Sequence, residues 1–198
     1  MSFDVAAELY DRFMGRFSRP LAPLLADFAD VQPGHRALDV GSGPGALTGE
    51  LVERLGPDAV TAIDPSAPFV AALAEHFPGV AVTRGGAEQL PYPDGSFDRT
   101  LAQLVVHFMA DPVAGVKEMA RVTRPGGVVA ACVWDHGTGG GPLSAFYQGF
   151  ADVVDGIDIE GGLIGVHEGD LTSVCRAAGL TGMLAQDLRI TVPFTSFD

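Results

Sequence analysis

The stretch Ala37-Leu38-Asp39-Val40-Gly41-Ser42-Gly43-Pro44-Gly45-Ala46 decides how this chain is read. An apolar run broken by one acid meets glycines at 41, 43 and 45, and Ala46–Leu55 continues at helical periodicity. A strand that turns on glycines into a helix N-terminus is the entrance of a nucleotide site in a doubly wound sheet. Gly41, Gly43 and Ala46 also satisfy the relaxed GxGxxA spacing of a dinucleotide fold. The same spacing serves a plain structural turn, so the loop alone leaves both readings open.

Outward from the loop, apolar runs at Ala59–Ile63, Val80–Val82, Arg99–Val105 and Val128–Val133 read as buried strands. Between them, Phe69–Phe77 is a helix opened by Pro68, and Val113–Val122 one opened by Pro112 after the capping residue Asp111. Strands alternating with helices of this length predict an α/β fold: a doubly wound, mostly parallel sheet with helices on both faces. Two amphipathic segments, Ala6–Phe17 and Leu21–Phe28, precede the first strand. After Trp134 come glycine-rich stretches at His136–Gly141 and Gly156–Gly165. Asp170–Ala178 then reads as a helix closed by Gly179, and Met183–Val192 as a further strand. The expectation is one domain with an N-terminal part (1–30), a core (31–134) and a C-terminal part (135–198).

Composition narrows the function. The 198 residues are 47% hydrophobic and 19% charged, which argues against disorder. Twelve Lys and Arg against 25 Asp and Glu give a formal charge of −13, which repels a phosphate backbone and disfavours nucleic acid as a partner. The N-terminus lacks the basic start and apolar run of a signal peptide, and Val128–Trp134 is far short of a membrane span, so no membrane partner is expected. Cys132 and Cys175 form no CxxC or Cys/His cluster; the expectation is no metal and a reducing, cytoplasmic setting.

Two carboxylates sharpen the loop. Asp39 stands two residues before the first glycine, where it would oppose a pyrophosphate but favour a cation. Asp64 ends the next strand in Ala62-Ile63-Asp64-Pro65-Ser66, where an acid can accept hydrogen bonds from both ribose hydroxyls. Together they ask for a ligand with a free ribose, a positive group and no phosphate. S-adenosylmethionine fits that description and NAD fits it badly. The plainer alternative makes Asp39 a turn residue and Asp64 a solvated strand end.

With these residues in view, the chain resembles the class I S-adenosylmethionine-dependent methyltransferases of the small-molecule type, the group that includes ubiquinone/menaquinone-biosynthesis methyltransferases. The likeness lies in LDVGSGPG (38–45), AIDPS (62–66), GAEQLPYPDGSFD (86–98) and EMARVTRPGG (118–127), in order across about residues 8–134. It implies a seven-stranded sheet and S-adenosylmethionine as cofactor. Carried onto this chain, it implies that Gly41 and Gly43 admit the cofactor closely and that Asp39 acts on the methionine end. It also implies that Asp64 holds the ribose, that Ala87 and Glu88 lie at the adenine amine, and that Gln103 lies near the methionine amino end. The N-terminal segment resembles a lid, with Tyr10 and Arg19 placed to bind the cofactor carboxylate; a plain amphipathic helix explains them equally well. On this reading 1–30 is the lid, 31–134 the cofactor-binding core and 135–198 the acceptor side.

The activity implied is methyl transfer to a small-molecule acceptor. The end of the fourth strand, Gln103-Leu104-Val105-Val106-His107-Phe108, lacks the Asn/Asp-Pro-Pro-aromatic block of many amino-group methyltransferases, which points to carbon or oxygen as the site. His107 is the candidate catalytic base, with a hydrogen-bonded structural histidine as the alternative, and His136 reads as solvent-facing. Phe108, Trp134, Phe146, Tyr147 and Phe150 are candidate acceptor walls. Relatives usually continue into more helix and a last antiparallel strand; the expectation is that this strand is missing at the C-terminus, and an exposed sheet edge would then favour a homo-oligomer. The alternatives are a cofactor-binding module or inactive remnant, and an NAD(P)-dependent oxidoreductase. The latter is disfavoured by Asp39 and by the lack of a Tyr-x-x-x-Lys pair.

Overall fold

The structure, a computed structural model, describes residues 7–138, 141–142, 164 and 167–193, with side chains from residue 11 onward. The two N-terminal segments form one helix, α1 (Ala7–Phe28), that carries Pro20 and Pro23 inside it. An interior proline costs about 3 kcal/mol through a lost hydrogen bond and a ring clash. Here Phe17, Leu21, Ala22, Leu25 and Ala26 are all buried along a stripe that runs through both prolines. Each fully buried leucine or phenylalanine contributes about 1.5–3 kcal/mol, so packing on the sheet outweighs the break that proline signals.

Next come β1 (Ala37–Val40), α2 (Ala46–Leu55), β2 (Val60–Asp64), α3 (Ala67–His76) and β3 (Ala81–Arg84). They are followed by β4 (Phe97–Gln103), α4 (Pro112–Val122), β5 (Thr123–Cys132) and α5 (Asp170–Ala177). The strands form one sheet in the order β3-β2-β1-β4-β5, every neighbouring pair parallel. This is the doubly wound α/β sheet the alternation predicts. Helix signals hold where the chemistry is local. The Asp111 side chain accepts the amide of Ala114 at 2.9 Å and starts α4. At the end of α5, Gly179 takes φ +90° while the amides of Gly179 and Leu180 reach back to Arg176 and Cys175, a Schellman closure.

Three strand readings change. β4 stops at Gln103 rather than Val105, because Leu104 turns into the left-handed region at φ +61°. β5 starts at Thr123 rather than Val128: its register against β4 breaks between Phe97 and Arg99, and Pro125-Gly126-Gly127 is absorbed in that irregularity. Met183–Val192 is not a strand. It carries no regular structure, Leu184 is 83% exposed, and Leu188 packs on the core. A strand needs a hydrogen-bonded neighbour, and none pairs with this segment among the described residues. The described sheet therefore has five strands. Phe146, Tyr147 and Phe150 lie outside the described residues.

The core has two halves, one per face of the sheet. Leu25, Leu47 and Leu51 bring α1 and α2 onto one face with Val60 and Leu101. Leu90, Met119 and Val122 bring α4 and its preceding loop onto the other with Leu38, Ile63 and Phe97, and Leu171 and Val174 of α5 pack beside them. Because the chain winds from β1 out to β3 and then returns to β4 on the opposite side of β1, a crevice opens at the carboxyl ends of β1 and β4.

Candidate active site

That crevice is a cavity of about 470 Å³, lined by Asp39, Gly41, Gly43, Asp64, Ala87, Glu88 and Gln103 among others. The glycine loop forms its floor. Gly41 has φ +69°, and its amide donates to the Ile63 carbonyl at 2.8 Å. A Cβ there would overlap the Val105 side chain. Gly43 has φ +53°, yet a Cβ on it would meet no atom within 4 Å. Gly41 is thus needed for the packing of the protein itself, whereas Gly43 leaves open space for a ligand to approach the backbone.

Asp64 organises the loop from the end of β2. Its Oδ2 accepts the Gly43 amide at 2.9 Å and its Oδ1 the Ser66 amide at 2.8 Å. Burial raises its pKa, and the Ser66 and Gly43 hydrogen bonds oppose that shift. Each carboxylate oxygen keeps further acceptor capacity toward the cavity. Asp39 is 1% exposed at the end of β1, and Thr48 Oγ1, from α2, donates to its Oδ2 at 2.6 Å. Burial, then the charge of Asp64, pushes Asp39 up to about 7 against the pull of the Thr48 hydrogen bond.

At the far wall, Gln103 Nε2 donates to the Ser18 carbonyl of α1 at 2.9 Å, tying the helix to β4. Its Oε1 is buried without a partner among the described residues. Leu104, also on the wall, carries the left-handed strain, of order 1–2 kcal/mol for a residue with a Cβ. Asp11, Gly15 and Ser18 present one face of α1 to the cavity. Arg19 is exposed and ion-paired with Asp11 rather than lining the cavity. The Tyr10 side chain lies outside the described residues.

His107 sits beside the cavity, 9% exposed, its ring centroid 4.0 Å from that of the cavity-lining Phe108. Its Nδ1 has no hydrogen-bond partner among the described residues. Burial, then the neighbouring His136, pushes its pKa down to about 4. His136 is half-buried rather than solvent-facing, its ring edge-on to His107 at 6.2 Å. Trp134 packs edge-to-face on Phe17 of α1 at 6.2 Å, so aromatic groups from α1 and from the segment after β5 flank this side.

Several residues that build the site carry no local signal. Thr48 is one. Arg121 is another: it donates to the carbonyls of Leu90 and Tyr92 and to Glu118 and Asp94, while Glu118 accepts the Leu90 amide at 2.9 Å. The hydrogen bond from Arg121 holds Glu118 below the usual carboxylate range. The blocks 86–98 and 118–127 are therefore one latch that fixes the loop carrying Ala87 and Glu88. Asp11, Gly15 and Ser18 did have a trace in sequence, an i, i+4, i+7 row of small and polar residues beside an apolar stripe.

The lining suits S-adenosylmethionine. Asp11, Asp39, Asp64 and Glu88 line the cavity, and Arg84 is the single cation among the described lining residues. Its Nε is engaged by the Pro65 carbonyl at 3.1 Å. Asp11 is paired with Arg19, so a pyrophosphate would meet Asp39, Asp64 and Glu88 against Arg84 alone, whereas a sulfonium and an ammonium would be drawn in.

Comparison with known proteins agrees. Residues 38–131 match the family described as a methyltransferase domain. An uncharacterised methyltransferase of Mycobacterium tuberculosis is 38% identical over 135 residues, 68% of this chain and 52% of that protein. The nocamycin O-methyltransferase of Saccharothrix syringae is 37% identical over 133 residues, 64% of this chain and 48% of that protein. The chain spans about half the length of these relatives. Among solved structures, a Haloferax volcanii complex of a methyltransferase activator with a methyltransferase superposes with TM-score 0.72 at 23% identity, covering 96% of this chain and 81% of that one. The cyclase SpnF superposes with TM-score 0.63 at 26% identity, covering 81% and 56%. Residues 38–131 therefore carry a methyltransferase domain, set on the Rossmann-like methyltransferase fold. S-adenosylmethionine is the cofactor of this domain.

Proposed function

We propose that the protein transfers the methyl group of S-adenosylmethionine to carbon or oxygen of a small organic acceptor. The observation that carries this reading is the lining charge, Asp39, Asp64 and Glu88 against Arg84, at the end of a glycine loop. When bound, the cofactor supplies an already activated methyl group. The residues of the chain then hold it, aim the acceptor in line with the S–CH₃ bond and exclude water. Asp64 holds the ribose, Ala87 and Glu88 border the adenine, and Asp39 and Gln103 face the methionine end. A nocamycin O-methyltransferase and a demethylmenaquinone methyltransferase among the relatives support oxygen or carbon as the site. The net charge of −13 supports an acceptor other than nucleic acid, and two free cysteines support a cytoplasmic setting.

Calorimetric titration of the whole chain with S-adenosylmethionine, S-adenosylhomocysteine and NAD tests the reading. Binding of both sulfur nucleosides and none of NAD is expected. Binding of NAD alone would establish the oxidoreductase alternative; binding of none by a folded protein would leave an inactive remnant. A second reading, binding without methyl transfer, draws on the resemblance to SpnF, a cyclase with this fold.

His107 is our candidate for the base when the acceptor must shed a proton. Its lowered pKa leaves it neutral near pH 7 with an accepting nitrogen, and makes it a weak base suited to an acceptor whose proton is already acidic. Once an acceptor is in hand, His107→Ala is expected to lower kcat about 100-fold while KM changes little. An unchanged kcat removes His107 from the chemistry.

A further inference from the structure

Glu88 engages two parts of the cavity at once. Its Oε1 accepts the amides of Ala110 at 2.8 Å and Asp111 at 3.4 Å, the junction between the short turn Val106–Phe108 and α4. Its Oε2 stands 3.0 Å from the point where a Cβ on Gly86 would lie, so the glycine makes room for the carboxylate. Gly86, Glu88, Phe108, Met109 and Ala110 all line the same cavity. The junction is held firmly on its other side. Asp111 caps α4, and Met109 fills a notch over Gly115 that any side chain there would close. One planar carboxylate therefore spans from the loop at Gly86 to the wall formed by Phe108 and Met109.

We propose that Glu88 is a positioning residue that couples the purine end of the cofactor site to the acceptor-facing wall Phe108–Ala110. This rests on the cofactor reading above. A purine amine that draws on Oε2 fixes the plane of the carboxylate, and the same plane sets where Oε1 holds the Ala110 amide. Cofactor occupancy then orders the wall, and by reciprocity an ordered wall raises cofactor affinity by the same factor. In this arrangement the acceptor meets its finished wall only after the cofactor is seated.

The test measures hydrogen exchange across residues 106–111 together with calorimetric binding of S-adenosylhomocysteine, in the whole chain and in Glu88→Gln and Glu88→Ala. In the unsubstituted protein, saturating S-adenosylhomocysteine is expected to slow exchange across 106–111. Glu88→Gln keeps an oxygen for the Ala110 amide but turns an NH₂ toward the purine amine. It should retain the ligand-free protection, bind about tenfold more weakly, and lose the slowing on binding. Glu88→Ala should exchange rapidly with and without ligand. A merely structural glutamate would leave the response to ligand intact in Glu88→Gln. Ligand-induced slowing in both variants equal to that of the unsubstituted protein overturns the coupling alone. Failure of the unsubstituted chain to bind S-adenosylhomocysteine overturns the cofactor reading and the coupling with it.

Discussion

Asp64→Ala is expected to weaken S-adenosylhomocysteine binding by about 3 kcal/mol, roughly 100-fold. Two losses add. The first is the pair of ribose hydrogen bonds to a charged acceptor. The second is preorganisation, because Asp64 holds the amides of Gly43 and Ser66 at 2.9 and 2.8 Å. Without it the loop must be ordered by the ligand itself, at a cost in conformational entropy. The fold should lose less than the site, about 1 kcal/mol, because both amides face a cavity that admits water. Asp64→Asn retains one oxygen and should fall between the two. Titration calorimetry beside thermal melting separates the effects, and an unchanged affinity in Asp64→Ala would sink the ribose assignment.

Cofactor binding is also expected to strengthen with pH up to about 7 and then level off. Asp39, with an ordinary value of 3.8, is pushed up to about 7 in the free protein by burial. A cationic methionine end beside it favours the ionised carboxylate, so binding below that pH releases a proton. Affinity then rises by up to about tenfold per pH unit, since one proton is linked to binding. Asp39→Asn has no proton to release; its affinity should be lower above pH 7 and should lose this dependence. A wild-type affinity that stays flat between pH 5 and 7 would show that Asp39 does not meet the charged end.

The same groups affect stability in opposite senses. Asp39, raised in the fold, contributes stability below pH 3.8 that is lost as pH rises through about 7. His107, lowered in the fold, contributes stability above pH 6.5 that is lost as pH falls through about 4. Between pH 4 and 6.5 the two offset each other. The titration of Asp39 is therefore read more cleanly in ligand affinity than in melting temperature.

Short-range chemistry carried most of the expectations that the structure repeats. Asp111 capping α4, Gly179 closing α5 and the glycines between β1 and α2 all act within a few residues. Strand and helix there follow from backbone conformation and immediate capping partners, which are visible in a linear string. The residues brought to the cavity, Asp39, Gly41, Gly43, Asp64, Ala87, Glu88 and Gln103, were legible because strand ends and glycine turns fall at one edge of a doubly wound sheet. Arg19 was named from the resemblance of the N-terminal segment to a lid but pairs with Asp11 instead, since side-chain direction on a helix depends on what the helix packs against.

The amino-acid sequence by itself determined the α/β alternation, the glycine loop, the acids near the ends of β1 and β2 and a local charge that disfavours a pyrophosphate. Only tertiary structure decided that α1 runs unbroken through Pro20 and Pro23, because the deciding term is apolar area buried on a sheet formed later in the chain. It alone decided that Met183–Val192 forms no strand, because a strand exists only where another edge meets its hydrogen bonds. It also decided that Thr48 grips Asp39, that Arg121 latches Leu90 and Tyr92, and that Glu88 reaches Ala110. Those contacts join residues 9 to 31 positions apart, and their geometry follows from how strands and helices are stacked rather than from any neighbouring residue.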